Sequence, residues 1–172
     1  MAALEQRIFD LVQGERHKIN PQAITLALDS ELVEVARRRS QDMAAKGYIA
    51  HSGPDGETSA NLIMEEDSDF QGLLGENIAA QKFASQSGVD VEAFAQRFVK
   101  SWLGSADHKE NLSFAAYDRS GVGAAVSGDT VYVTQLFATD LGLPKHTSDP
   151  KSRQITPLAH PKAETPGSVA SP

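Results

Sequence analysis

Few side chains in this sequence are suited to chemistry near neutral pH. Of five histidines, His146 and His160 fall in a proline-rich C-terminal stretch and His17 follows a helical run, which leaves His51 in "YIAHSG" and His108 in "SADHKEN". Neutral imidazole is the commonest metal ligand and the usual acid or base in this range. Glu76 stands between a glycine and an asparagine in "GENIA", with no helix face to occupy. Two imidazoles and a carboxylate could form an open two-histidine, one-carboxylate metal site, or a histidine base with a carboxylate partner. Positions 51, 76 and 108 share no local motif such as H-E-x-x-H, so spacing alone leaves open two exposed histidines and a solvated loop glutamate. Ser52 and Ser105 are the hydroxyls nearest in sequence for a nucleophilic role. No G-x-S-x-G motif supports either one.

These residues must be positioned by the elements around them. Leu4, Ile8, Leu11 and Val12 recur at helical spacing, and Gly14 with Asn20-Pro21 is expected to end that first helix. Asp29 is a good N-cap for a second helix with Leu32, Val35, Ala36, Ser40 and Met43 on one face and Gly47 as its stop. Arg37, Arg38, Arg39 and Asp42 are expected mostly on its wet side. Residues 51–80 read as a long loop with at most one helical turn near 62–65, and long loops in compact domains are often functional. A third helix is predicted over 91–103, with Phe94, Ala95, Phe98, Val99 and Trp102 as a core stripe. Ser105 is then expected to cap a short helix that carries His108 in its first turn. Val122–Val126 and Thr130–Phe137, separated by Ser-Gly-Asp, read as a β-hairpin. Helices in front, strands behind and a loop-rich middle point to an α+β domain.

Composition bounds the rest. The chain has 172 residues, no cysteine and a formal net charge of −7. One core is expected, with neither disulfides nor a thiolate metal site. An acidic balance argues against nucleic acid as partner, since that requires a concentrated basic face. No stretch approaches the roughly 20 apolar residues of a membrane span, and the N-terminal segment lacks the pattern of a signal peptide. Six of the eight prolines fall in 144–172, which also holds Lys145, Lys151, Arg153 and Lys162 against Asp149 and Glu164. That segment is expected to be a disordered Pro/Ser/Thr-rich tail, leaving 1–143 as the acidic folded domain.

Five motifs in order carry a resemblance: "LVQGERHKIN", "LDSELVEVARRRSQDMAAKGYIAHSGPDG", "GENIA", "SWLGSADHKENL" and "GVGAA" followed by "VYVTQLF". Over roughly residues 4 to 138 the chain resembles the CAP superfamily of cysteine-rich secretory proteins, insect venom antigens and plant pathogenesis-related proteins, and within it the bacterial, cysteine-free SCP-like members. The resemblance implies a three-layer α-β-α sandwich with a central antiparallel sheet. It also implies a cleft lined by two histidines and acidic residues, which in several members binds zinc or another divalent cation. His51 and His108 then take the metal-ligand places, and Glu76 faces them as metal-site partner or catalytic carboxylate. Asn77 anchors its segment, and Ser52 and Ser105 lie at the cleft. One departure is evident: the second glutamate that eukaryotic relatives carry shortly after the tryptophan is replaced here by Gly104 and Ser105.

The expectation is therefore a secreted or periplasmic, monomeric binding module for a divalent metal and a small hydrophobic or lipid ligand. A metal- or histidine-dependent hydrolase and an interaction module with a vestigial cleft are the alternatives. Because the tail is too poor in apolar residues to offset its ordering entropy, deleting 144–172 is expected to leave the melting temperature nearly unchanged. A loss of several degrees on calorimetry would show that the tail docks on the domain.

Overall fold

The computed structural model describes residues 1–84 and 88–141; the proline-rich segment 144–172 lies outside the described residues. The elements run α1 (Ala2–Ile19), β1 (Ala27–Leu28), α2 (Ser30–Lys46), α3 (Ser59–Glu66), β2 (Gly72–Lys82), α4 (Val91–Leu103), α5 (Ala106–Ser113), β3 (Arg119–Ser127) and β4 (Thr130–Asp140). The strands form one sheet in the order β1-β3-β4-β2. The three long strands pair antiparallel, as expected, and the two-residue β1 adds a short parallel pairing to β3.

Alternation along β4 divides the interior in two. Val131, Val133 and Phe137 join the cluster formed by α1, α4 and Leu112 of α5, whereas Leu136 and Ala138 join the cluster formed by α2 and α3. The result is a helical layer on each face of the sheet. On β3 the alternation has a second use. Gly121 and Gly123 face α2 so closely that a Cβ on either would meet the helix backbone at Leu32–Val33 or Ala36–Arg37. The spacing G-x-G thus lets α2 lie directly on the strand, while Val122 and Ala124 pack on the other face.

Several expectations need correction. The stretch 51–80 is not one loop, because it contains both α3 and β2. Helix α3 opens on a capping box in which Thr58 Oγ1 accepts from Asn61 N–H and Asn61 Oδ1 accepts from Thr58 N–H, at 3.2 and 3.0 Å. Asparagine at the third position, in place of the usual Glu or Gln, hid that signal. Strand β2 lacked an apolar alternation because Gly75, Glu76 and Asn77 occupy positions turned toward its neighbours. Helix α1 passes through Gly14 and ends at Asn20. Its last turn is anchored by Arg16, fully buried, which donates to the carbonyls of Ile24, Leu112, Ala115 and Tyr117. On α2, Arg37 and Arg38 lie on the outer side as expected, but Arg39 is fully buried. Ser105 stands at the N-cap of α5 without a side-chain capping bond.

The stripe on α4 is core as predicted, with Phe94, Phe98 and Trp102 following one another at ring-centroid distances of 6.3 Å. Trp102 is completely buried, and its indole N–H donates to the carbonyl of Ile78 on β2 at 3.2 Å. Trp102→Ala should cost about 3–5 kcal/mol by cavity formation, and Trp102→Phe less, through the carbonyl left unpaired. Urea denaturation would measure both, and full stability in the alanine variant would contradict this packing.

Candidate functional site

The site forms around β2, an edge strand whose consecutive side chains point to opposite faces. Gly75 and Asn77 face α5. A Cβ at Gly75 would lie 2.6 Å from Tyr117 Oη and 2.9 Å from Asn111 Oδ1, so the strand approaches α5 closely only because it is glycine. Asn77, fully buried, donates from Nδ2 to the carbonyl of His108 at 3.0 Å. Asn111 donates from Nδ2 to Asn77 Oδ1 at 2.9 Å and to the Glu76 carbonyl at 3.1 Å. His108 and Asn111 stand three apart on α5, so one helical face carries both the histidine and the amide that docks it. "GEN" and "HKEN" therefore interlock across the strand edge.

Glu76 projects the other way, toward α2 and α3. Its Oε2 lies 3.5 Å from His51 Nδ1; the carboxylate side chain is 12% exposed and the imidazole 60%. Burial raises the Glu76 pKa above the ordinary carboxylate value, and the nearby His51 and Arg39 pull it partly back. The Ser59 hydroxyl lies near enough to favour the charged form. Even so, among the described residues Glu76 Oε1 and Ser59 Oγ are buried with no hydrogen-bond partner. His108, half-buried, is lowered by burial and by the positive field of His51, against a smaller opposing effect of Asp107.

Three segments accordingly contribute to the site: the turn that carries His51, strand β2 with Glu76 and Asn77, and helix α5 with His108. The two serines are not used in the same way. Ser52 pairs with Thr58 in an isolated bridge, and its Oγ donates weakly to the adjacent Gly53 carbonyl at 3.4 Å. Ser105 is set at the start of α5. Among the described residues, no serine–histidine hydrogen bond is present at either position and no group of three His, Asp or Glu converges as a ligand set. Arg39, Ser59 and Asn111 are site residues that sequence inspection missed. Arg39 had a usable signal: it continues the stripe Leu32, Val35, Ala36, Ser40, Met43, which is the buried face of α2.

A cavity of about 410 Å³ lies elsewhere, between α2 and α3. Leu32, Val35, Ile63, Phe70 and Ala138 line it together with Asp29, Glu31, Glu66 and Arg119. It borders neither histidine.

The Glu76 environment has a thermodynamic consequence. With its folded-state pKa raised, the protonated carboxyl adds stability below the ordinary carboxylate value, and that contribution is lost as pH rises through the folded value. Glu76→Gln should therefore match wild type in acid and exceed it in melting temperature near neutrality. Thermal scans from acid to neutral pH test this, and a variant less stable than wild type at pH 7 would show that the ionised carboxylate is net favourable.

Comparison with known proteins places this geometry. The model of the cysteine-rich secretory protein family (CAP) matches residues 16–137, an interval that holds His51, Glu76 and His108. The uncharacterized protein YkwD of Bacillus subtilis (strain 168) is 28% identical over 130 residues, covering 74% of this chain and 45% of that protein. An extracellular SCP-domain protein of Bacillus anthracis is 32% identical with a TM-score of 0.60, over 78% of this chain and 39% of that one. An outer surface protein of Borrelia burgdorferi shares the fold, with a TM-score of 0.63 at 23% identity over 77% of this chain and 89% of that one. The chain spans less than half the length of YkwD and of the Bacillus anthracis protein. With the family match running from the end of α1 to β4 and the cleft residues inside it, this chain belongs to the cysteine-rich secretory protein (CAP) family.

Proposed function

We propose that this domain is an exported binding module whose cleft at the outer edge of β2 takes a divalent transition-metal ion through the imidazoles of His51 and His108. The observation that carries it is the buried Glu76 carboxylate 3.5 Å from Nδ1 of an imidazole otherwise open to solvent. A carboxylate on Nδ1 fixes the tautomer and leaves Nε2 as the free ligand atom. His108 stands close enough to be influenced by His51. Two imidazole nitrogens suit zinc, copper or nickel better than calcium. Glu76 acts as the orienting group behind His51, and Asn77 and Asn111 hold the helix that carries His108. Export is supported by the extracellular Bacillus anthracis relative. No described helix is long and apolar enough to cross a membrane.

A small hydrophobic ligand, if the domain takes one, is best accommodated by the α2–α3 cavity, whose apolar wall is continuous with Leu32 and Phe70. With Asp29, Glu31, Glu66 and Asp67 against Arg119 in its lining, the net negative charge favours a neutral or cationic amphiphile over a fatty-acid anion. The hydrolase reading is the weaker one, because Ser52 and Ser105 lack a bonded imidazole.

Zinc titration by calorimetry tests the main reading. Wild type should bind near neutral pH and weaken as pH falls through the imidazole range of about 6.5, because the ligand nitrogens must be unprotonated. His51→Ala and His108→Ala should each abolish most of the heat, while Glu76→Gln should weaken binding by about tenfold. If wild type takes up no zinc, or the double histidine variant binds as well as wild type, the interaction module with an unused cleft is the better description.

A further inference from the structure

We infer that Arg39 is the positioning residue of this cleft: its buried guanidinium sets the place of the His51 imidazole by holding the backbone carbonyl that immediately precedes it. The inference rests on the cation-binding reading for what the cleft does, though not for how the cleft is built.

Three arginines follow one another on α2, and they do different things. Arg37 pairs with Glu5 and Glu34, and Arg38 with Glu65 and Glu66, at the outer side of the helix. Arg39 is fully buried, and Asp42 Oδ2, its ion-pair neighbour among the described residues, is 3.9 Å away. Its hydrogen bonds go elsewhere. Nη1 donates to Tyr48 Oη and Nη2 to the Ala50 carbonyl, each at 3.0 Å. Tyr48 in turn donates to Asp42, which is tied to Lys46.

The geometry of the group explains the role. A guanidinium is a rigid planar fork, so two acceptors bonded to its two terminal nitrogens are fixed relative to each other. The Ala50 carbonyl belongs to the same planar peptide unit as the His51 N–H. Holding that oxygen therefore orients the plane from which the His51 Cα departs. The ring has little packing of its own to define its place, with 60% of the side chain exposed, and its other restraint is Glu76. His51 is thus held twice, at the backbone from α2 and at Nδ1 from β2. A buried cation whose ion-pair partner stands as far off as 3.9 Å is a poor choice for stability alone. A lysine could keep the charge at this position but could not bridge both acceptors in a fixed geometry.

The test uses the full chain with Arg39→Lys, Arg39→Met and Tyr48→Phe. The last removes one acceptor of the fork while leaving Arg39 in place, and serves if an arginine variant fails to fold. Backbone ¹⁵N order parameters of the zinc-free protein, zinc affinity and melting temperature would be measured for each. Lower order parameters are expected at Ala50, His51 and Ser52, with α1 and α4 unchanged, and zinc affinity should fall by about tenfold or more in both arginine variants. Tyr48→Phe should move both quantities in the same direction by less. Wild-type order at 50–52 in Arg39→Lys, or a loosening spread evenly over the domain, would overturn the inference. If wild type binds no zinc while the variants still lose order only at 50–52, the positioning role stands and the cation reading fails.

Discussion

The amide pair Asn77 and Asn111 is the interaction on which the cleft depends. A sheet edge presents carbonyl and N–H groups that must find partners when buried. On β2 the outward carbonyl of Glu76 is taken by Asn111 and that of Ile78 by the indole of Trp102. The same Asn111 amide also reaches Asn77, which holds the His108 carbonyl. Closing the edge and mounting the histidine are therefore one operation. A substitution at Asn111 would leave the edge carbonyl of Glu76 without this partner, at about 1–3 kcal/mol, and one at Asn77 would remove the bond that ties the His108 carbonyl to β2.

The opposite side of the sheet uses a different device for the same problem. Strand β1 covers only Arg119 and Ser120 of β3. Farther along, the Ala124 N–H is satisfied by Glu5 Oε1 of α1, and Glu5 is paired with Arg37 of α2. The two helical layers are thus linked around the edge by a carboxylate that is 6% exposed. Arg16 performs the corresponding task at the end of α1, where one guanidinium gathers carbonyls from the segment after α1, from the last turn of α5 and from the turn before β3. Because its partners include Leu112, it helps set where α5, and hence His108, lies.

Charged groups in this domain serve the backbone as much as they serve one another. Glu5, Arg16 and Arg39 are all buried, and each bonds directly to main-chain atoms. Such groups are expensive to desolvate, and they persist where several polar atoms of irregular backbone would otherwise be stranded. Arg39 Nε and Glu76 Oε1 nevertheless have no hydrogen-bond partner among the described residues, and burial raises the Glu76 pKa above the ordinary carboxylate value. A largely buried carboxylate beside an exposed imidazole makes this edge of the sheet the candidate functional one.

Much was determined by the sequence alone: the helices over 30–46 and 91–103, the hairpin of β3 and β4, the core role of Trp102 and the family, because apolar periodicity, caps and ordered motifs are local signals. The ordered motifs also supplied His51, Glu76 and His108 as candidate site residues. Strand β2 was illegible because two of its central positions carry polar residues whose contacts come from α5 and the His51 segment, about 25 to 35 positions away in sequence. Arg39 was misassigned for a related reason. Charge predicts solvent unless a buried acceptor is known, and its acceptors are a tyrosine hydroxyl and a loop carbonyl that only the folded chain brings beneath α2. Tertiary structure therefore decided which polar residues turn inward, since a polar side chain is buried according to the partners that the fold supplies and not according to its own type.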